Sequence, residues 1–286
     1  APEKSKFLVL EIGMDKKGEI NYLSNLIKPN IGLITNISYA HIKNFRNLDQ
    51  IAKAKGELID NMISNGTMII NMDDKYYKYF IHKSKKCGLK VFTFSQKNYR
   101  ADILFLKQIK YKNNYLFKIK IKETIKTFLV PNELLNYREN ILASLSIIIN
   151  YFDAQKLNKN LLVGFKVPKG RGSLTTYKKG SKKLTILDES YNSNPLSLKF
   201  SLERFDNIYK KRNKKFLLIG NMLELGNYSK KLHIKIANYI NNSKINKIFV
   251  YGNYTRHTFN KLKPQIKGRI LNSSMEIYNL IKNDLP

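Results

Sequence analysis

The sequence predicts an α/β protein in which a doubly wound sheet with an antiparallel meander is followed by a smaller α/β domain. Short apolar runs alternate with helix-like segments over residues 6–94. The apolar pattern then changes to a period of two over residues 102–130, and the α/β alternation returns after residue 173. A chain of 286 residues suits two domains, which we expect at residues 1–168 and 169–286.

The first domain alternates buried strands with amphipathic helices. Short apolar runs predict parallel strands that are buried on both faces, and apolar residues at helical spacing predict the helices between them. Pro29 and Gly88 end two of these helices. The predicted strands cover residues 6–12, 31–37, 67–74 and 90–94, and the predicted helices cover residues 19–28, 48–63 and 75–87.

The meander is predicted at residues 102–130, where apolar and polar side chains alternate around Asn113 and Asn114. A helix over residues 139–152 completes the first domain. The segment 164–173 holds four Gly or Pro residues and is the predicted linker. The Rossmann-like domain after it is predicted to contain strands at residues 184–190, 214–221 and 247–252, and helices at residues 196–210, 229–242 and 275–284.

The composition indicates a folded protein without internal disulfides. Hydrophobic residues make up 43% of the chain, and Cys87 is the only cysteine. No apolar run approaches the ~18 residues that a membrane helix needs. With no signal-peptide pattern in the given sequence, these features predict a cytoplasmic protein without stable membrane insertion.

The net charge of +31 comes mainly from lysine, since only 8 of the 52 basic residues are arginine. Side chains that bind bases and phosphates in two-point contacts are commonly arginines. The charge is spread over both predicted domains, and abundant Lys, Asn and Ile are typical of an AT-rich coding bias. We therefore expect no nucleic-acid partner, and a non-enzymatic polyanion-binding protein is the alternative.

Polar side chains follow the predicted strands at their carboxyl ends, where ligands bind in open α/β sheets. Glu11 and His41 follow two of these strands and could hold a divalent ion, or could form a surface pair or a helix cap. Lys53 and Lys55 lie on roughly opposite faces of a helix, so one leans toward the sheet. A lysine there is costly unless it is paired or modified, or unless its stem reaches solvent. The other polar residues at strand ends are Asn36, Asn71, Asp73, Asp74, Asp188 to Asn194, and Asn221.

The stretch ILDESYNSNPLSLK, at residues 186–199, leads from a strand through two acids into a loop rich in Asn and Ser. Such a loop could bind a ligand. Alternatively, its side chains form turns and cap the next helix. The sequence contains no G-x-x-x-x-G-K-[ST] loop, no G-x-G-x-x-G pattern and no zinc-type Cys/His spacing.

These segments form an ordered set of motifs. EIGMDKKGEI, TNISYAH, AKAKGE and NMDD occur in the first domain, and GRGS, DESYNSNP and GNMLELG occur in the second. In this order the sequence resembles the Mur ligases, and most closely the MurF type, the UDP-N-acetylmuramoyl-tripeptide–D-alanyl-D-alanine ligases. The resemblance covers nearly the whole chain. It implies that the two domains are the central ATP-binding domain and the C-terminal domain of this family.

The resemblance also implies roles for individual residues. Glu11, His41 and Lys55 match the family's magnesium ligands, and Lys55 matches the lysine that family members carry as a carbamate. Arg171 matches an arginine that reaches the ATP phosphates, so Lys55 and Arg171 are the implied catalytic residues. Glu189 falls where many relatives have the Asp that holds the ribose hydroxyls. The other residues implied to bind the nucleotide are Asn71, Asp73, Tyr191, Asn192 and Asn194.

The implied reaction is ATP-dependent amide formation in peptidoglycan precursor synthesis, with ATP and Mg²⁺ as cofactors. The carboxylate of UDP-N-acetylmuramoyl-tripeptide attacks the γ-phosphate of ATP. The amine of D-alanyl-D-alanine then attacks the resulting acyl phosphate and releases phosphate. Domain closure is expected to keep water away from that acyl phosphate.

The sequence departs from the family pattern in several places. Asn221 stands where relatives have Asp, and residues 131–140 replace the usual P-G-R-H-N-x-x-N segment. The family's P-loop and UDP-binding domain lie upstream of Glu11, and a K-G-S segment lies beyond the last helix, so we expect a fragment that is inactive alone. The alternatives are another ligase of the superfamily, such as MurE or a folylpolyglutamate synthase, although SYNSNP and MLELG argue against both.

Overall fold

The computed structural model describes residues 3–39, 42–179, 182–208 and 214–284. Contacts divide the chain into two compact units. The first comprises Ala1–Ile37, Asn44–Val130 and Tyr137–Leu162, and the second comprises Ser38–Lys43, Pro131–Asn136 and Val163–Pro286. The main division falls at residues 162–163, just before the predicted linker, and the domain boundary at residues 168–169 stays a prediction.

The first unit is built on a six-stranded sheet with the strand order β1-β2-β3-β4-β5-β6. Strands β1 to β4 pair in parallel, and β4 to β6 pair antiparallel, which confirms the predicted sheet with a meander. Parallel pairing brings the carboxyl ends of β1, β2 and β3 to one edge of the sheet. The strands are β1 (Ile31–Ile34), β2 (Thr67–Asn71), β3 (Lys90–Ser95), β4 (Ile103–Tyr111), β5 (Asn114–Ile121) and β6 (Thr124–Val130).

The helices of the first unit follow the predicted order, with one difference. The helix predicted over residues 48–63 is two helices, α2 and α3, which meet at Gly56. Helix α2 begins where the Asn47 side chain accepts a hydrogen bond from the Gln50 N–H at 3.0 Å. The helices described are α1 (Glu19–Ile27), α2 (Leu48–Lys55), α3 (Glu57–Asp60), α4 (Tyr77–Lys86) and α5 (Arg138–Ile148).

The core of the first unit lies on both faces of its sheet. Met68, Ile69 and Ile70 are consecutive residues of β2, and all three are buried. Successive side chains of a strand point to opposite faces, so this run requires cover on both sides. Phe117 of β5 and Phe128 of β6 are fully buried as well. These large rings contribute much of the apolar surface that stabilises the unit.

The second unit contains an antiparallel hairpin, β7–β8, and a parallel sheet in the order β11-β10-β9. This confirms a smaller α/β part. The strand predicted over residues 184–190 corresponds to β8, which pairs with β7 in the hairpin. The elements described are β7 (Ser173–Lys179), β8 (Lys182–Asp188), α6 (Pro195–Ile208), β9 (Phe216–Ile219), α7 (Ser229–Asn241), β10 (Lys247–Tyr251), α8 (Thr255–Asn260), β11 (Lys267–Leu271) and α9 (Ser274–Asn279).

The strand predicted at residues 6–12 is wrong. Phe7, Leu8, Val9 and Leu10 are exposed, with Val9 reaching 85% exposure. In the described sheet, β1 is the edge strand and pairs with β2 alone. An apolar run becomes a strand only when a neighbour satisfies its N–H and C=O groups. This run instead contacts the rest of the unit through Phe7, whose ring lies 4.7 Å from that of Tyr151.

Across the ranges described above, each helix is too short or too polar to cross a bilayer.

Candidate functional site

The segment Thr35–Ile37 follows β1 at the carboxyl edge of the first unit's sheet, and side chains from other elements hold its backbone. The Asn71 Nδ2 atom donates to the Thr35 oxygen at 3.0 Å. The Lys55 Nζ atom donates to the Asn36 oxygen at 2.9 Å. The Ile37 N–H donates to the Asp74 Oδ2 atom at 2.7 Å. Polar residues from α2 and from the end of β2 therefore converge where ligands bind in this type of sheet.

Lys55 is the lysine that leans toward the sheet, whereas Lys53 is exposed. Burial lowers the pKa of the Lys55 amine below its ordinary value, and the negative charge of Asp74 opposes that shift. A lowered pKa increases the fraction of neutral amine, and the neutral amine is the form that acts as a nucleophile. Lys55 is thus a partly buried amine hydrogen-bonded to the main chain, and Lys53 is an exposed one.

Asn71 and Asp73 are held by neighbours within the same unit. Asn71 is 3% exposed, and its Oδ1 atom accepts a hydrogen bond from the Asp73 N–H at 2.9 Å. The Asp73 carboxylate accepts from the Ser95 hydroxyl and from the Gln96 N–H, each at 2.6 Å. These bonds tie the end of β2 to the end of β3, so Asp73 connects the two strands at the sheet edge.

Glu139 also belongs to this cluster, although the sequence analysis did not identify it as a site residue. Its Oε1 atom accepts from the Asn71 Nδ2 atom at 2.9 Å. Burial raises the pKa of the Glu139 carboxyl, the side-chain amides of Asn36 and Asn71 oppose the rise, and the charges of Asp73 and Asp74 add to it. The sequence contains an indication of this position, because Glu139 is an acid in the first turn of a predicted helix and therefore lies close to the preceding loop.

Arg138, the residue before Glu139, lies on the other side of the helix start. Its guanidinium group stacks on the Phe105 ring, 4.1 Å from the ring centroid. It donates to the side-chain oxygens of Gln96 at 3.3 Å and Gln108 at 2.8 Å. Burial lowers the pKa of Arg138. Arg138 and Glu139 thus connect the start of α5 to β2, to β4 and to the residue that follows β3.

The predicted magnesium ligands are only partly accounted for. Glu11 is exposed, Lys55 is half-buried, and His41 lies outside the described residues. Within the described ranges, no group of three or more His, Cys, Asp or Glu side chains could hold a metal ion. A lysine carbamate is not among those residue types, so the site formed by Glu11, His41 and Lys55 stays a prediction.

In the second unit, the structure brings together Arg171 and Tyr191. The Arg171 guanidinium lies 4.1 Å from the centroid of the Tyr191 ring. The Tyr191 N–H donates to the Gly170 oxygen at 3.0 Å, and Gly170 has a φ of 74°. A Cβ atom on Gly170 would lie 3.1 Å from the Tyr191 Cβ, so the close approach of these two segments favours glycine.

Glu189 has an intramolecular partner that the sequence analysis did not foresee. Its Oε1 atom lies 3.5 Å from Nη1 of Arg204, a residue of α6 that is only 2% exposed. Burial raises the pKa of the Glu189 carboxyl, and the charge of Arg204 opposes that rise. The pair ties the loop after β8 to α6. The proposed contact of Glu189 with a ribose therefore involves a carboxylate that already has an ionic partner.

The two asparagines of this loop differ in their surroundings. The Asn194 Oδ1 atom accepts from the N–H groups of Leu196 and Ser197, each at 3.0 Å. Asn194 therefore caps α6, as the turn-and-cap interpretation expects. Asn192 is exposed, so its amide is accessible to a ligand.

The GNMLELG segment, at residues 220–226, is held in place by hydrogen bonds to residues outside this motif. The buried His233 ring accepts from the Met222 N–H through Nε2 at 3.0 Å, and its Nδ1 atom donates to the Ser229 oxygen at 2.7 Å. The Asn221 Oδ1 atom accepts from the Tyr254 N–H at 3.0 Å and from the Thr255 N–H at 3.2 Å, at the start of α8. Asn221 thus has a structural role at the start of α8.

Comparison with known proteins gives the class of this chain. The family model described as "Mur ligase middle domain" matches residues 1–147, about half of the chain. Together with the doubly wound sheet and the polar cluster at its edge, this match shows that the chain belongs to the Mur ligase family.

Curated relatives match nearly the whole chain. A UDP-N-acetylmuramoyl-tripeptide–D-alanyl-D-alanine ligase of Rickettsia prowazekii is 27% identical over 284 residues, covering 96% of this chain and 60% of the relative. The protein of that name from Buchnera aphidicola subsp. Baizongia pistaciae is 30% identical, covering 98% and 58%. The one from Bacillus subtilis is 30% identical, covering 88% and 52%. The chain therefore spans between half and three-fifths of the length of these relatives.

Solved structures share the fold. A MurF crystal structure from Acinetobacter baumannii has a TM-score of 0.80 at 19% identity and covers 96% of this chain and 58% of that one. A MurF ligase from Thermotoga maritima, solved in complex with ADP, has a TM-score of 0.80 at 20% identity and covers 98% and 61%. At these identities, the likeness supports the fold.

Proposed function

We propose that the full-length protein containing this chain is an ATP-dependent ligase that adds D-alanyl-D-alanine to UDP-N-acetylmuramoyl-tripeptide. The observation that carries the proposal is the relationship to curated ligases of that name, which extends over 88–98% of this chain. The polar cluster around Lys55 lies at the sheet edge where such a reaction requires charged groups.

Lys55 is the residue on which the proposed chemistry most depends. Its half-buried amine is held at the Asn36 oxygen, and burial lowers its pKa, which increases the fraction of neutral amine. A neutral amine reacts with CO₂ to form a carbamate, and one proton is released. This converts a buried cation into an anionic oxygen donor, which reduces the cost of burying a lysine beside the sheet.

We propose that Glu11, His41 and the carbamate of Lys55 hold Mg²⁺. Carboxylate and carbamate oxygens are the hard donors that Mg²⁺ prefers, and an imidazole can complete such a set. Lys55, a described residue, fits this role through its lowered pKa and its position beside Asp74. When bound, the ion would offset the negative charge on the phosphate oxygens of ATP.

We propose nucleotide-binding roles for Asn71, Asp73, Arg171, Glu189, Tyr191, Asn192 and Asn194. Arg171 is exposed, and its guanidinium lies 4.1 Å from the centroid of the Tyr191 ring. A guanidinium matches phosphate oxygens in two-point contacts. The Glu189 carboxylate, about one-third exposed, can accept hydrogen bonds from ribose hydroxyls while it remains paired with Arg204. Asn194 and Asn71 would act mainly by holding the surrounding backbone.

The chemical steps proposed are two group transfers. The tripeptide carboxylate attacks the γ-phosphorus of ATP, which forms an acyl phosphate and releases ADP. The amine of D-alanyl-D-alanine attacks the acyl carbon, forms the amide bond and expels inorganic phosphate. Arg171 would offset charge on the phosphoryl oxygens during transfer. Both sugar-nucleotide substrate and dipeptide are expected in the cytoplasm.

The test is a coupled assay on the full-length protein with both substrates, ATP and Mg²⁺. ADP release should require both UDP-N-acetylmuramoyl-tripeptide and D-alanyl-D-alanine, and mass spectrometry should detect the pentapeptide product. ADP release that does not require the dipeptide would assign the protein to a different ligase activity. A product extended by a single amino acid would do the same.

A further inference from the structure

The Thr35–Ile37 segment is held by more side chains than a simple loop requires. The main-chain oxygens of Thr35 and Asn36 accept from Asn71 and Lys55, and the Ile37 N–H donates to the Asp74 carboxylate. The Lys55 amine rests on the main-chain oxygen of Asn36, so the position of that oxygen sets the position of the amine. Whatever fixes Asn36 therefore also fixes Lys55.

Glu139 is connected to this segment through Asn71. Its Oε1 atom accepts from the Asn71 Nδ2 atom at 2.9 Å. That same Asn71 nitrogen donates to the Thr35 oxygen at 3.0 Å. Asn71 therefore links the Glu139 carboxylate to the residue that precedes Asn36.

A purely structural acid would not need this location. Glu139 is half-buried beside the carboxylates of Asp73 and Asp74, and like charges in such a place disfavour one another. Burying a charged group is costly unless hydrogen bonds compensate it. A carboxylate kept there despite that cost indicates that its hydrogen bond with Asn71 matters.

We propose that Glu139 is a positioning residue of the ligase: through Asn71 it holds the Thr35–Ile37 segment, and with it the Lys55 amine, in the reactive arrangement. This inference rests on the proposed function and deepens it. It also assigns a role to the segment 131–140, where the sequence departs from the family pattern. Glu139 would not touch a substrate, and its effect would pass through Lys55.

A competing explanation is that Glu139 only stabilises α5, since it lies in the first turn, where a negative charge interacts well with the helix dipole. The two explanations predict different effects of changing the length and the charge of the side chain at position 139. Aspartate keeps the charge at the helix start but is one methylene shorter, so its carboxylate is drawn away from the Asn71 amide. Glutamine loses the charge but keeps the length and an acceptor oxygen for Asn71.

The experiment compares Glu139→Asp and Glu139→Gln in the full-length protein, with kcat and the KM for ATP measured by ADP release and the melting temperature measured in parallel. The matched control is Glu123→Asp, at an exposed glutamate between β5 and β6. We expect Glu139→Asp to lower kcat by about 10- to 100-fold, since small misplacements of reacting groups have effects of that size. We expect Glu139→Gln to stay within about fivefold of wild type, on the same argument.

The relative kcat values of the Asp and Gln variants decide between the two explanations. An Asp variant that retains wild-type kcat, or one that is more active than the Gln variant, would overturn the positioning role. An equal loss in both variants that follows only their melting temperatures would overturn it too. If the wild-type protein itself releases no ADP in the presence of both substrates, the proposed function fails, and that result is distinct from either outcome for Glu139.

Discussion

The Nζ atom of Lys55 donates a hydrogen bond to the main-chain oxygen of Asn36 at 2.9 Å, whereas Lys53, on the same helix, is exposed. The difference follows from helix geometry, because residues two apart point to roughly opposite sides. Burial lowers the pKa of Lys55. The two lysines of one short motif therefore have different surroundings. They form a matched pair for mutation.

Lys55→Ala should abolish most ligase activity of the full-length protein, because it removes both the amine and the carbamate proposed to form on it. Short carboxylic acids such as formate or acetate should restore part of the activity by supplying the missing oxygen donor. The rate of ADP release measures both effects. Lys53→Ala is the control and should behave like wild type. Wild-type turnover in Lys55→Ala would refute the role of this lysine.

Glu189→Gln should destabilise the protein by about 1–2 kcal/mol. This is less than the loss of about 3–5 kcal/mol expected when a fully buried ion pair is broken. The reason is that Arg204 is buried, whereas Glu189 is about one-third exposed. Urea denaturation measures this change. Glu203→Gln is the control, because Glu203 lies 3.8 Å from Lys199 in an exposed pair and should contribute below ~0.5 kcal/mol. Equal stability losses in the two variants would show that the Glu189–Arg204 pair has no special weight.

The same Glu189→Gln variant tests ribose binding separately. We expect ATP to bind more weakly by about 1–3 kcal/mol if the carboxylate accepts from the ribose hydroxyls. The loss should shrink for a nucleotide whose ribose lacks those hydroxyls. Calorimetric titration of the full-length protein with both nucleotides measures this. An unchanged affinity for ATP would leave Glu189 with its structural role alone.

Gly252→Ala should destabilise the second unit by about 2–4 kcal/mol, from left-handed backbone strain and steric overlap. Gly252 has a φ of 105°, and a Cβ atom there would lie 2.6 Å from the Asn221 side chain. Urea denaturation measures the loss. Gly220→Ala is the control, since a Cβ atom there meets nothing within 4 Å. Equal effects of the two substitutions would contradict the proposed overlap.

Asn221→Asp should change stability by less than ~1 kcal/mol, because an aspartate offers the same acceptor to the Tyr254 and Thr255 N–H groups. Relatives with Asp at this position could thus keep the same cap. The comparison is again made by urea denaturation. A large loss for Asn221→Asp would mean that the amide nitrogen has a partner of its own.

His233 should make the second unit sensitive to mild acid. Burial lowers the pKa of its imidazole below the ordinary value of 6.5, with the charge of the nearby His257 acting in the same direction and the hydrogen bond to the Ser229 oxygen opposing it. Below pH 6.5 the unfolded chain binds a proton that the folded state excludes, so stability falls as pH falls. The slope reaches at most ~1.4 kcal/mol per pH unit and ends at the folded-state pKa.

The variant His233→Gln should lack this extra loss between pH 7.5 and pH 5.5, as measured by urea denaturation at both values. His82→Gln is the control, because His82 is exposed and should leave the slope unchanged. If His233→Gln keeps the wild-type slope, another group causes the acid sensitivity.

The sequence was sufficient for the fold class because burial periodicity and sheet topology are local and repetitive signals. The β2 run from Met68 to Ile70 is buried on both faces, as its apolar pattern predicts. The run from Phe7 to Leu10 has the same pattern but is exposed, because pairing depends on a neighbouring strand that no local pattern specifies. Short elements such as α8 and β11 escaped prediction because a few residues carry little periodicity.

The candidate site was predicted only in part, because some of its contacts join residues that are far apart in the sequence. The resemblance to the Mur ligases implied roles for Lys55, Asn71 and Asp73, which the structure places at one sheet edge. Glu139 lies 68 residues from its partner Asn71, and Arg204 lies 15 residues from Glu189. Contacts across such separations depend on tertiary packing, which spacing in one sequence does not reveal.

The central claim, ligation through an acyl phosphate, is tested most directly by isotope transfer in the full-length protein. The tripeptide substrate carries ¹⁸O in both oxygens of the carboxylate that is to be joined, and the inorganic phosphate released with D-alanyl-D-alanine is analysed by mass spectrometry. One carboxylate oxygen bridges to phosphorus in the acyl phosphate and leaves with it, so the account predicts one ¹⁸O atom in each phosphate released. Phosphate without ¹⁸O, formed alongside the amide product, would contradict it.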